Sequence, residues 1–403
     1  MNVLEYIEAG WEKCIRENKQ DKDTLFGLPY PYTVPCSDGV FQEMYYWDTY
    51  FTNKGLILSG RLNQAKNNTN NIAYLIKKLG FMPNGSRTSF LNRSQPPFFS
   101  EMVRDIYEKT NDKEWLAEMY SALEIEYSFW NTKRNTQIGL HQYLVNSDVN
   151  ATFDVYELFK KRSGLELEEN DRDKLTKSAW AMCESGWDFT PRWGLSAINF
   201  VQIDLNVLTY RLMQNLYLFG KECNISNAEI WKERADEHLK RIRKYMKNDS
   251  ELFLDYNFVD NTFSEIFSAA SFFPMAYMLA TKDEAKTIVK NLSRIEESFG
   301  ITACEEYETE GIYQWHYPNG WAPLQYIVVQ GLVNYGYIDD AIRIANKYTN
   351  MVENVFEKNG NIWEKYNVRE GSVNVVDEYD MPPMMGWSAG VYLYAKNLLS
   401  EIK

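Results

Sequence analysis

The stretch QIDLNVLTYRLMQNLYLFGKECNISNAEIWKERADEHLKRIRKYMK (residues 202–247) is built on a helical repeat. Leu205, Leu208, Leu212 and Leu216 recur every three or four positions, the spacing that puts them on one face of an α-helix, and Gly220 is placed to stop it. A second stripe follows in Ala228, Trp231, Ala235, Leu239, Ile242 and Met246, with Ser226 and Glu229 spaced as a capping box. Outward from this pair the pattern repeats. Thr281 and Glu284 make another box before Ile288, and Ile338, Ala341, Ile342 and Ala345 share a face. Further helices are expected near 2–18, 47–59, 63–79, 113–131, 172–183, 263–280, 321–335 and 387–400. Helix follows helix and alternating strand patterns are scarce, which predicts an all-α architecture of stacked hairpins. No solenoid repeat and no Gly/Ser-rich or Pro-rich linker divides the chain, so residues 1–403 are expected to form a single domain, with 1–24 a helical extension packed on it.

Composition narrows the partners. The net charge of −13 lacks the clustered Lys and Arg that neutralise phosphates, so neither nucleic acid nor an anionic membrane surface is expected. The 12 Trp, 28 Tyr and 21 Phe exceed what a core alone calls for, and rings left over suit a cleft that stacks on the apolar faces of sugars. Five scattered cysteines, with no CxxC pair, and an N-terminus without a continuous apolar run predict reduced thiols and a cytoplasmic protein. A monomer or a simple homo-oligomer is expected.

The usual cofactor and nucleophile motifs are missing. Three histidines, His141, His238 and His316, form no HExxH and no ligand cluster, so no metal is expected. There is no GxSxG elbow, no P-loop and no GxGxxG, and therefore no cofactor is expected. Chemistry by carboxylates remains. The candidates sit in loops dense in Pro, Gly and aromatics: 28–42, 81–99, 186–194, 313–323 and 363–371. Loops on a rigid scaffold are where binding and catalysis gather. Glycosidic hydrolysis needs two carboxyl groups flanking the bond, and an inverting enzyme leaves a gap of roughly 6.5–9.5 Å for a water. Asp188, between Trp187 and Phe189, suits a protonated acid kept dry by its neighbours. Glu364, beside Lys365, suits a carboxylate that has to stay charged.

These loops carry a family resemblance. LPYPYTVPCSDGVFQEMYYWDTYF (28–51) resembles the first motif of the trehalase family, P-G-G-R-F-x-E-x-Y-Y-W-D-S-Y, and QWHYPNGWAPLQ (314–325) resembles its second, Q-W-D-x-P-x-G-W-A-P-x-Q. PNGSRTSFLNRSQPPFF, ESGWDFTPRW, QIDLNVL, EKYNV and GWSAGV fit further stretches in the family's order, so the resemblance runs over about residues 25–400. It implies an (α/α)6 toroid, inversion without metal or cofactor, and a small carbohydrate substrate such as trehalose or another short α-glucoside. It also implies that Asp188 is the acid and Glu364 the base. The sugar-binding positions implied are Phe41, Tyr45, Trp47, Asp48, Asn84, Arg93, Gln95, Gln314, Trp321 and Glu378.

Four departures bear on the substrate. Val40 stands where the family has Arg, and His316 where it has Asp. The family's P-R-P-E-S stretch is not recognisable in LVNSDVNATFDVYELF (144–159), and SVNVVD (372–377) replaces a Gly-rich lid. Losing a guanidinium fork at Val40 removes bidentate hydrogen bonding. Two other readings compete. A sugar epimerase or lyase on the same barrel would favour His or Tyr bases, and a non-catalytic sugar-binding protein would tolerate the lost Arg.

Overall fold

The computed structural model describes residues 1–146, 153–375, 381–383 and 386–401. Among these, the helical periodicity resolves into α1 (Val3–Gly10), α2 (Tyr46–Leu58), α3 (Leu62–Leu79), α4 (Phe99–Thr110), α5 (Lys113–Lys133), α6 (Val155–Ser163) and α7 (Arg172–Ser185). There follow α8 (Ile203–Glu222), α9 (Glu229–Tyr245), α10 (Phe273–Ala276), α11 (Lys282–Lys290), α12 (Ala322–Asn334), α13 (Ile338–Asn359) and α14 (Gly386–Glu401). Six of them close a ring. α2 packs on α4, α4 on α8, α8 on α10, α10 on α12, α12 on α14, and α14 returns to α2. Outside it, α3, α5, α9 and α13 each pack on the ring helix that precedes them in the chain. The result is the (α/α)6 toroid.

Burial sorts the two layers. α12 buries ten of its thirteen residues, as a helix enclosed on all sides must, and its sequence is apolar almost throughout. α9 buries only Trp231, Ala235, His238 and Ile242, the single stripe of a helix that faces water on its other side. α6 and α7 pack on each other between the second and third hairpins of the ring, and α7 delivers the chain to Asp188.

Several sequence expectations shift. The helix near 2–18 ends at Gly10, followed by a 3-10 turn over Trp11–Cys14 and a strand, Ile15–Arg16, paired with Tyr32–Thr33. Trp11 is fully buried, and its Nε1 donates to Ser59 Oγ at 3.1 Å, fastening this segment to the end of α2. The helix near 263–280 shrinks to α10, because Thr262–Phe263 pair as a strand with Tyr256–Asn257 and Pro274 fits only the first turn of a helix. The Thr281–Glu284 capping box forms. The one proposed at Ser226 and Glu229 does not: Asn227 takes φ 68° and Ala228 caps α9 without a side-chain bond. Gly220 lies inside α8, which continues to Glu222; a Cβ there would meet the Ala228 Cβ at 2.7 Å, so the glycine admits the start of α9. α4 and α6 are additions that the sequence periodicity left unassigned.

Two backbone features place the functional loops. α7 ends at Gly186 (φ 77°), whose missing Cβ would lie 2.8 Å from the Trp47 ring, so the chain can turn Trp187 and Asp188 inward against α2. Asn319–Trp321 and Lys365–Asn367 pair antiparallel, with Trp321 opposite Lys365. This ribbon brings the 313–323 and 363–371 loops, far apart in sequence, to one wall.

Candidate active site

The wall just described, the end of α7 and the start of α2 enclose a cavity of about 500 Å³. Asp188 and Glu364 both line it. So do Phe41, Tyr45, Trp47, Asp48 and Asn84, together with Arg93, Gln95, Gln314 and Trp321. Every described position implied as acid, base or sugar contact is thus in one place. Glu378 lies outside the described residues.

Each side chain is held by its own local structure. Asp48 sits in the first turn of α2, where the helix N-terminus faces the cavity, and Trp47 N–H donates to Gln95 Oε1 at 3.1 Å. The loop carrying Asn84 and Arg93 closes on itself, Asn84 N–H donating to the Arg93 carbonyl at 3.0 Å. Behind it, fully buried Glu184 accepts from Ser94 N–H (2.7 Å), Leu144 N–H (2.8 Å) and Arg134 Nε (2.7 Å), so an ion pair in the core anchors the segment between Arg93 and Gln95. The Asp188–Phe189 peptide is cis, and Trp315 N–H donates to the Phe189 carbonyl at 3.0 Å. On the opposite side Trp387 Nε1 donates to the Glu364 carbonyl at 3.1 Å and Ser388 Oγ to the Trp363 carbonyl at 2.7 Å, tying the loop of Glu364 to α14.

The two carboxylates differ in surroundings. Burial pushes the Asp188 carboxyl up to about 6, against the opposing pull of Arg162 and Arg93. Glu364 is 3% exposed and accepts from Lys365 Nζ at 3.0 Å. Asp48 is a third acid in the same space. Burial, with the charges of Glu364 and Asp188 adding to it, raises it to about 8, so it is neutral at pH 7 and able to donate a hydrogen bond. The floor is aromatic: Trp315 stacks on Trp321 at 3.8 Å with planes 5° apart, and Trp47, Trp187 and Trp387 surround that pair. Among the described residues no group of three or more His, Cys, Asp or Glu is placed to hold a metal ion.

The structure adds residues that the sequence reading did not nominate. Arg162, on the last turn of α6, lines the cavity and is the strongest positive influence on Asp188. A basic residue in F-K-K-R-S-G carries no local sign of pointing anywhere, so only packing identifies it. It also supplies an arginine that the 144–159 stretch gave no sign of, although not at the expected position. Trp315 and Trp387 belong to the floor, and Cys183 to the wall. His316, which replaces the family's Asp, faces away: its Nε2 bonds the Tyr307 carbonyl at 2.9 Å. Val40 lies at the rim of the cavity, 54% exposed.

The trehalase family model matches residues 2–400. The chain belongs to the trehalase family. It is therefore a glycoside hydrolase. A periplasmic trehalase of Xanthomonas axonopodis pv. citri is 31% identical over 98% of this chain and 73% of its own length. One of Escherichia coli is 31% identical over 99% and 74%. Among solved structures the neutral trehalase of Saccharomyces cerevisiae matches with a TM-score of 0.79 at 27% identity, over 92% of this chain and 74% of that one. A mannosylglycerate hydrolase of Thermus thermophilus shares the fold, with a TM-score of 0.70 at 14% identity.

These relatives correct one expectation. The cytoplasmic assignment does not stand, because the curated bacterial trehalases at 30–31% identity over nearly the whole chain are named periplasmic. The cysteines do not require a reducing compartment either. Cys14, Cys36, Cys183 and Cys304 are buried thiols that pack as small apolar groups, and such thiols need no reducing compartment. No helix among the described residues is long and apolar enough to cross a membrane.

Proposed function

We propose that the protein hydrolyses trehalose, or a closely related short α-glucoside, with inversion at the anomeric carbon. The observation that carries this is the contrast between Asp188 and Glu364 in one cavity. Asp188 is buried with its carboxyl raised to about 6, as a general acid requires, and Glu364 has an ammonium partner, as a general base does. Trehalose enters through the names of the relatives. In this reading Asp188 gives its proton to the glycosidic oxygen as the C1–O bond breaks. Glu364 takes a proton from a water whose oxygen bonds to C1 from the opposite face. The Asp48 carboxyl, neutral at pH 7, and the Arg93 guanidinium hydrogen-bond sugar hydroxyls, while Phe41, Tyr45 and the tryptophans pack on the ring. Asn84, Gln95 and Trp321 complete that subsite. Residues 1–403 act as one catalytic domain, with 1–24 packed on it.

Product stereochemistry tests the reading directly. Proton NMR of early trehalose hydrolysis is expected to show β-glucose and α-glucose released in equal amounts, with only the α-anomer in a retaining alternative. Asp188→Asn and Glu364→Gln are each expected to lower kcat by about 100-fold or more while the folded state persists, since acid–base catalysis typically contributes that much. Wild-type turnover in either variant would remove that residue from its role.

A further inference from the structure

The acid and base are joined by a hydrogen-bonded chain that the reaction scheme above does not use. Lys365 has no solvent exposure, yet its ammonium donates to Glu364 Oε2 at 3.0 Å and to Gln314 Oε1 at 3.1 Å. It lies 4.9 Å above the Trp321 ring. The other end of the same amide, Gln314 Nε2, donates to the backbone carbonyl of Asp188. The direction of this chain is forced. An ammonium can only donate, so the amide must turn its oxygen to Lys365 and its nitrogen to the Asp188 carbonyl, which can only accept.

Gln314 is fixed from behind as well. Its own carbonyl accepts from Asn319 Nδ2 at 2.9 Å and Trp321 Nε1 at 3.2 Å, inside the ribbon that pairs Trp321 with Lys365. Gln314, which lines the cavity and is expected to contact sugar, also commits its amide oxygen and one amide N–H to the protein.

We infer that Lys365 and Gln314 form a strut that sets the position of the base relative to the acid, so that both are positioning residues for the reaction. The inference rests on Asp188 and Glu364 being the acid and base. Its physical content is spacing. Inversion works only when a water fits between the base and C1 while the acid reaches the leaving oxygen, and an error of about 1 Å in such an arrangement costs on the order of 100-fold in rate. Loops from three separate parts of the chain could each relax by that much. The strut links all three through two side chains.

The test compares kcat and KM of trehalose hydrolysis for the full chain and K365M, K365R and Q314E, beside D188N and E364Q. K365M is expected to lower kcat by about 100-fold with KM changed less than about threefold, since alignment rather than sugar affinity is lost. K365R, which keeps the cation, should recover at least about tenfold of the lost kcat. Q314E keeps an acceptor for Lys365 but has no N–H for the Asp188 carbonyl, and a loss of about tenfold or more is expected. If D188N or E364Q retains turnover, the catalytic assignment fails and the strut with it. If those two are inactive while K365M and Q314E stay within about threefold of wild-type kcat, the strut alone is overturned. Equal losses in K365M and K365R, tracking a fall in thermal midpoint, would also overturn it. Should K365M fail to fold, the kcat of Q314E decides.

Discussion

At the scale of single residues, the site runs on contrasts of environment between groups of the same kind. Asp188, Asp48 and Glu364 are three carboxyls in one cavity, and burial lifts Asp48 to about 8 but Asp188 only to about 6, where Arg162 and Arg93 pull against it. In its proposed role as acid Asp188 must be protonated, so kcat/KM is expected to fall as pH rises through about 6, the value to which burial lifts this carboxyl. Arg162 opposes that lift most strongly among the neighbouring charges. Arg162→Gln therefore should move the alkaline limb to higher pH, a shift readable from kcat/KM profiles of the two proteins. An unmoved limb would show that the Arg162 charge is not felt at Asp188. Some of these roles are visible in the residue string: Asp188 stands between two aromatics, and a Lys follows Glu364. Arg162 is not, because its importance comes from where the end of α6 lies and from nothing in its neighbours along the chain.

At the scale of elements, helix ends and one short ribbon aim these groups. The end of α7 shows how narrow the tolerance is. Gly186 combines a left-handed backbone (φ 77°) with a Trp47 ring 2.8 Å from where a Cβ would stand. Gly186→Ala is expected to cost about 1–2 kcal/mol for the backbone alone. The clash with Trp47 adds to that, so the thermal midpoint should fall by several degrees and kcat should fall with it as Asp188 is displaced. A variant with unchanged midpoint and kcat would show that the turn relaxes freely. Boundaries were the least legible feature at this scale. A 3.6-residue period marks the middle of α8 and α9 clearly, but Gly220 and Ser226 carry stop and start signals that packing overrides. Pro274 and the strand at Thr262–Phe263 likewise cut short a stretch whose composition is helical.

At the scale of the whole molecule, the double ring buries polar groups whose ionisation then bears on stability. His141, in the loop after α5, and His238 of α9 stack at 5.1 Å, both bonded to Thr209 of α8 and near the Arg241 charge. Burial lowers both, His238 to about 4. Unfolded, each would bind a proton near pH 6.5, so below that pH the unfolded chain holds more protons and the fold loses stability as pH drops toward 4. For His238 alone the loss is on the order of 3 kcal/mol. Urea midpoints between pH 7 and 4 should fall accordingly, and the slope should flatten in His238→Gln; an unchanged slope would place the acid sensitivity elsewhere. Helical class, the loops that matter and the two candidate carboxylates follow from periodicity and from short motifs, because those signals are local and survive without a partner. Closure of six helices into a ring, the ribbon that sets Trp321 opposite Lys365, and the arrival of Arg162 and Gln314 beside Asp188 do not. They join residues more than a hundred positions apart in some cases, and such contacts are selected by the shape and polarity of surfaces that exist only once the ring has formed.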